Sequence, residues 1–134
     1  YAVASAFDLP FQTGAIDVIT RIFAPSKDHE LNRVMSAQGI LLIAAPGPDH
    51  LRGVRERIYQ EVRAHEPPAV PQGFRLVTSH RLQYELTITE GGHVEALLAM
   101  TPFAWKLSEA LKQSLTAEPF SDLCDFTVSL FEKA

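Results

Sequence analysis

Apolar and polar positions alternate along the chain in blocks that predict strands and helices in turn. Residues 1–5 form a short apolar run, followed by a loop through Leu9-Pro10-Phe11 and Thr13-Gly14. Residues 15–23 form a second strand-like run, rich in Ile and Val and stopped by Pro25. Ser26 offers a helix N-cap, Leu31, Val34 and Met35 share one helical face, and Gly39 reads as the C-terminal cap. Residues 40–45 are apolar without alternation, the pattern of a strand covered on both faces of a mainly parallel sheet, and Pro46-Gly47-Pro48 ends it.

Asp49 reads as the cap of the next helix, where Leu51, Val54, Ile58 and Val62 recur at helical spacing with Arg52, Glu56 and Arg63 on the other side. The prolines at 67, 68 and 71 close it. In residues 74–88, Leu82, Tyr84, Leu86 and Ile88 alternate with Arg81, Gln83, Glu85 and Thr87, which predicts a strand near a sheet edge, broken by Gly91-Gly92. Residues 94–100 predict a short helix. Thr101-Pro102 starts another, continued by Leu107, Ala110, Leu111 and Leu115, and residues 123–130 interleave as a terminal strand. This order is α/β in a single domain, 1–134. The first two strands are about ten residues apart, too few for a helical crossover, so they are not a simple βαβ unit.

Composition narrows the class. The 134 residues are 46% hydrophobic and 21% charged, the balance of one soluble globular domain. Its longest apolar run is far short of a membrane span. A single cysteine, Cys124, excludes a disulfide framework or a multi-cysteine zinc site within the chain and fits a reducing cytoplasm. Twelve Lys and Arg against 16 Asp and Glu leave a net charge of −4, which argues against a large phosphate footprint while leaving room for a local one. The chain opens on Tyr1 inside an apolar stretch and reads as a fragment.

Five short motifs sharpen the pattern. Ser5-Ala6-Phe7-Asp8-Leu9-Pro10-Phe11, followed by Ala15-Ile16-Asp17-Val18-Ile19, resembles the middle of a class I S-adenosylmethionine-dependent methyltransferase. Together with Arg21-Ile22-Phe23-Ala24-Pro25, Pro46-Gly47-Pro48-Asp49-His50-Leu51 and Met100-Thr101-Pro102-Phe103-Ala104-Trp105, it resembles the bacterial 23S ribosomal RNA (guanine-N1)-methyltransferases. The Leu-Pro-Phe turn alone is a superfamily feature; the combination is far more specific. The family's zinc module and its Gly-rich loop have no counterpart here, so the chain resembles the C-terminal half of such an enzyme. The resemblance implies a Rossmann-like sheet of strand order 3-2-1-4-5-7-6, here strands 3 to 7 with the last antiparallel. Any zinc would belong to the N-terminal module.

The same resemblance assigns expected roles. Ligands of doubly wound sheets lie beyond the carboxyl ends of the strands. The family pattern puts Ser5 against the adenine amino group, where an acid is usual, with Ala6 and Ile22 on the same rim and Leu9, Pro10 and Phe11 as an apolar wall of the cofactor pocket. Arg21 is the candidate donor to the base's carbonyl oxygen, and Asp49 or His50 the candidate base for the guanine N1 proton. Phe23, Pro25, Pro46, Phe103 and Trp105 would hold a base turned out of the RNA.

Plainer readings stand beside these. Arg21 pairs with a carboxylate, Asp49 only caps a helix, and His50 faces solvent. Phe103 and Trp105, at i and i+2, cannot share a helix face, so at least one belongs to the core. Asp17 is structural. Arg52, Arg55, Arg57 and Arg63, interleaved with Glu56 and Glu61, form a solvated helix face. His29, His65, His80 and His93 show no ligand spacing. A small-molecule methyltransferase and a non-catalytic partner-binding α/β module remain alternatives. The strand at 15–23 would present an open edge, suited to homodimer formation or to completion by the missing half, and the chain alone is expected to bind S-adenosylmethionine poorly.

Overall fold

The computed structural model describes residues 3–59, 63–117 and 119–134. Tyr1, Ala2, Glu61 and Val62, which take part in the expectations above, lie outside them. The elements are β1 (Ile16–Ile22), α1 (Asp28–Val34), β2 (Met35–Pro46), α2 (Arg52–Ile58), β3 (Phe74–Ile88), α3 (Gly91–Ala99), a 3-10 turn (Pro102–Lys106), α4 (Glu109–Thr116) and β4 (Phe120–Lys133). They divide into two compact units: residues 1–47, 66–82 and 126–134 in one, and 48–65 and 83–125 in the other.

In the first unit the strands follow the order β1-β2-β4-β3. β1 runs parallel to β2, pairing Val18 with Ile40 and Ile22 with Ala44. The last strand is antiparallel to β2, pairing Leu42 with Leu130 and Pro46 with Phe126. The core is Leu31, Met35, Leu41, Ile43, Phe74 and Phe131. β3 is an edge strand, as its alternation predicts, and is exposed over most of its length.

Several local expectations are corrected. Of residues 1–5, the described ones form no strand: Val3 is fully exposed and the only ladder contact is an isolated bridge between Ser5 and Asp8. α1 is capped at Lys27 without a side-chain bond, so Ser26 is not its cap. Gly39 is not a helix cap but lies within β2, beside a register shift between Ile16 and Val18. A Cβ there would collide with the Met35 side chain and stand 3.1 Å from the Asp17 carbonyl oxygen and 3.2 Å from that of Ile16, so any larger residue would require Met35 and the neighbouring strand to shift. β2 is covered unequally on its two faces: Leu41 and Ile43 are buried, while on the other face Leu42 and Ala44 are half-buried and Ile40 is 39% exposed.

The second unit packs α2, α3, the 3-10 turn and α4 around Leu51, Val54, Val94, Leu98, Phe103, Leu107, Leu115 and Phe120. Thr101-Pro102 starts the 3-10 turn, and the longer helix begins separately at Ser108, whose hydroxyl accepts the Leu111 N–H at 3.2 Å. Asp49 is not the cap of α2. The capping residue is Leu51, and the orphan amides of Gly53 and Val54 donate instead to the Asp122 carboxylate of β4, at 3.0 and 2.8 Å. Arg55, expected on a solvated face, is 3% exposed.

Candidate functional site

In the first unit, the parallel pairing of β1 and β2 brings their carboxyl ends to one rim, where open α/β sheets bind ligands. Arg21 and Ile22 close β1, and Phe23 follows with φ of 48°, a left-handed conformation that costs a non-glycine residue about 1–2 kcal/mol. Its N–H donates to the Ala44 carbonyl at 3.1 Å, and its ring meets Phe126 edge-on at 5.7 Å, so the strained backbone is held from two sides while the side chain stays half exposed. Arg21 donates from Nη1 to the Ser26 hydroxyl at 2.9 Å; the bond orients the guanidinium and consumes no charge. Pro25 follows β1, and Pro46 ends β2.

Leu9, Pro10 and Phe11 are tied to α1 by two residues that periodicity does not single out. Arg33 donates to the Leu9 carbonyl at 3.0 Å and to the Phe11 carbonyl at 2.8 Å, while Glu30 accepts the Leu9 N–H at 3.0 Å and pairs with Arg33. The Arg33 guanidinium and the Leu9 amide hold the Glu30 carboxyl down at about 2. A Glu three residues before an Arg near the end of a short helix is the only trace of this brace in the sequence. The turn presents Leu9 and Phe11 to an apolar groove completed by Ile16, Val18, Ile19, Thr20 and Val34. Ser5, Ala6, Pro10 and Ile22 are not among its walls; Ser5 instead accepts the Phe7 N–H in a local turn at 3.2 Å.

The second unit holds Asp49 and His50. The Asp49 N–H donates to the Asp125 carboxylate at 2.8 Å, the Asp125 N–H donates to His50 Nδ1 at 3.2 Å, and the Leu51 N–H donates to the Leu123 carbonyl at 2.8 Å. Leu51, buried in the core, adopts φ of 47°. A left-handed leucine in the middle of an anchored turn marks backbone held against its preference. Asp125 is fully buried, and it escaped notice because a terminal strand's alternation gives one acid no distinction from its neighbours. An Nδ1 that accepts a backbone proton leaves the neutral imidazole's proton on Nε2, so His50 in this form donates there. Burial, together with the charges of His65 and Arg55, pushes the His50 pKa down against the opposing pull of Asp125 and Asp122. His65 is likewise lowered, by burial and by Arg55.

Also in the second unit, Phe103 and Trp105 divide as their spacing requires: Phe103 is buried against Tyr59, ring centroids 6.2 Å apart, and Trp105 is 94% exposed. Lys106 lies 4.8 Å over the Tyr59 ring and donates to its hydroxyl. Among the described residues, no group of three His, Cys, Asp or Glu is arranged to hold a metal, and no helix is long and apolar enough to cross a membrane.

No protein-family profile matches the chain. It is 32% identical over 111 residues to a Bacillus subtilis (strain 168) protein described as "Putative 23S rRNA (guanine-N(1)-)-methyltransferase", covering 78% of this chain and 39% of that one. It is 31% identical over 112 residues to the 23S rRNA (guanine(748)-N(1))-methyltransferase of Streptomyces fradiae, with the same coverage. The chain thus spans about two-fifths of the length of these relatives. In fold it resembles a crystal structure described as a "putative methyltransferase" of Bacillus halodurans C-125, at a TM-score of 0.54 and 15% identity over 98% of this chain and 76% of that one. The motif resemblance and the matches agree: the chain is a relative of the 23S ribosomal RNA (guanine-N1)-methyltransferases.

Proposed function

We propose that this chain is the C-terminal catalytic part of a cytoplasmic S-adenosylmethionine-dependent methyltransferase that modifies N1 of a guanine in 23S ribosomal RNA. The observation that carries this reading is the identity of 31–32% to two such enzymes across 78% of the chain. The apolar wall of Leu9, Phe11, Val18 and Ile19 fits an adenine ring, while the seven glycines include no Gly-x-Gly cluster to take the methionine end. The cofactor, when bound, supplies a methyl group already activated by its sulfonium.

The chain's own residues then have positioning and proton work. Guanine N1 carries its proton at neutral pH, and methylation requires that proton to leave. In the second unit, Asp49 takes it and the His50 Nε2–H donates to the developing charge on the guanine carbonyl oxygen; Arg21, in the first unit, is the alternative donor to that oxygen. Trp105, in the second unit, is one stacking surface for the base turned out of the RNA; Phe23 with Pro25 and Pro46, in the first unit, is the alternative.

The order β1-β2-β4-β3, read as strands 4, 5, 7 and 6 of the methyltransferase sheet, would leave the central pair to another polypeptide. β1 is the outer strand, with Val18 58% and Ile22 63% exposed beside the polar Asp17 and Thr20, and its free edge is where that pair would add. In the isolated chain a second copy takes the same edge, giving a homodimer.

The chain alone is read as inactive, so the reading is tested by incubating it together with the rest of its gene product and S-adenosylmethionine carrying a labelled methyl group, offering 23S ribosomal RNA and, separately, a panel of small-molecule acceptors. Label in RNA guanine supports it. Label only in a small acceptor supports the small-molecule alternative, and no label, together with a stable complex with another protein, supports the non-catalytic one.

A further inference from the structure

Arg55 is a buried cation within the second unit, 3% exposed on α2. Its two hydrogen bonds go to backbone carbonyls: Nη1 to Arg63 at 2.8 Å and Nη2 to Pro48 at 2.7 Å. The Pro48 carbonyl also accepts the His65 N–H at 3.4 Å. Nε is buried with no hydrogen-bond partner among the described residues. Burying a guanidinium with an unsatisfied donor costs more than filling the space with a methionine or leucine. The residue's use is therefore geometric: only a planar fork reaches two carbonyls at once, and a lysine ammonium cannot reproduce both bonds.

What the fork holds is the start of the Pro48-Asp49-His50-Leu51 turn. One residue beyond Pro48, the Asp49 amide meets the Asp125 carboxylate; next, His50 Nδ1 accepts the Asp125 N–H; then Leu51 sits in its left-handed conformation. We infer that Arg55 is a positioning residue for His50, strapping the Pro48 carbonyl to the Arg63 carbonyl so that the turn keeps the imidazole with Nδ1 accepting and Nε2 protonated. Its value for methyl transfer rests on the function proposed above; its effect on the ring does not.

The test uses the 134-residue chain labelled with nitrogen-15, observing the histidine ring nitrogens and the backbone amides. In the parent chain, His50 is expected as the Nε2–H tautomer and the Arg55 Nη protons as separately resolved, slowly exchanging signals. Rapidly averaged Nη signals would overturn the inference without any variant. In Arg55→Lys, which keeps the charge beside His50, His65, Asp125 and Asp122, the Nδ1–H tautomer of His50 grows to a comparable population. The Asp49 and Asp125 amides exchange at least tenfold faster, while those of Gly53 and Val54, capped by Asp122, stay within twofold. Arg55→Met gives the same changes wherever it folds. Parent-like tautomer and exchange in a folded Lys variant would overturn the inference. These readouts need no RNA, so a failure of the methyltransferase reading leaves them intact, and their failure leaves that reading standing.

Discussion

The backbone N–H of Asp125 donates to Nδ1 of His50 across 3.2 Å, and a protonated imidazole could not accept it. Both this bond and burial favour the neutral ring, consistent with the lowered pKa values of His50 and His65. The sign follows: the unfolded chain takes up these protons near the ordinary value of about 6.5 while the folded chain resists. Stability from these two groups is complete above that value and is lost as pH falls below it, towards the lowered folded values. Urea unfolding at pH 7.5 and 5.5, beside a histidine titration by NMR, checks both halves; an NMR pKa for His50 above 6.5 would contradict the geometry.

Glu30 behaves as a second, more acidic switch. With its carboxyl held at about 2 against 4.5 for an unperturbed group, it stabilises the fold fully above 4.5 and loses that contribution as pH falls towards 2. Glu30→Gln should flatten acid unfolding followed by circular dichroism over this window. The Leu9 amide, which then donates to a neutral amide oxygen instead of a carboxylate, should exchange faster.

Asp122 supplies the cap that the sequence assigns to Asp49. Asp122→Ala leaves the Gly53 and Val54 amides without their acceptor and should cost about 1 kcal/mol in thermal or urea unfolding. A variant as stable as the parent chain would show that water replaces the carboxylate without loss.

The single tryptophan offers an optical probe. Trp105 is 94% exposed, so Trp105→Ala should change stability by less than about 0.5 kcal/mol. It should also weaken RNA binding by about 1–3 kcal/mol if a base stacks on the ring. Phe103→Ala, emptying a buried site, should instead cost about 3–5 kcal/mol of stability. Quenching of Trp105 fluorescence by RNA, but not by an equal charge of polyphosphate, is the expected observation.

Much of the architecture is legible in the pattern of residues. The Ile- and Val-rich run became β1, the alternation after Phe74 became an edge strand, and Phe103 and Trp105 split between core and surface. The errors share a cause, which is that tertiary partners outrank local signals. Gly39 reads as a cap until β1 is seen to need its missing Cβ, Arg55 reads as solvated until the Pro48 and Arg63 carbonyls surround it, and Asp49 reads as a cap until Asp122 arrives from β4. Asp125 and the Glu30–Arg33 brace were illegible because each acts through backbone amides and carbonyls, groups common to every residue.

The proposed incompleteness of the donor pocket is directly measurable. Calorimetry of S-adenosylmethionine against the 134-residue chain should show weak binding, since on the proposed reading the groove of Leu9 and Phe11 would take only the adenine end. Tight one-to-one binding would mean that the chain holds the whole cofactor without a further segment.

The most direct measurement of the central claim is reverse transcription across 23S ribosomal RNA from cells with and without the gene for this protein. A methyl group on guanine N1 blocks base pairing with the incoming nucleotide, so the account predicts a strong stop beside one guanine that disappears with the gene. Identical stop patterns in the two RNAs would contradict it.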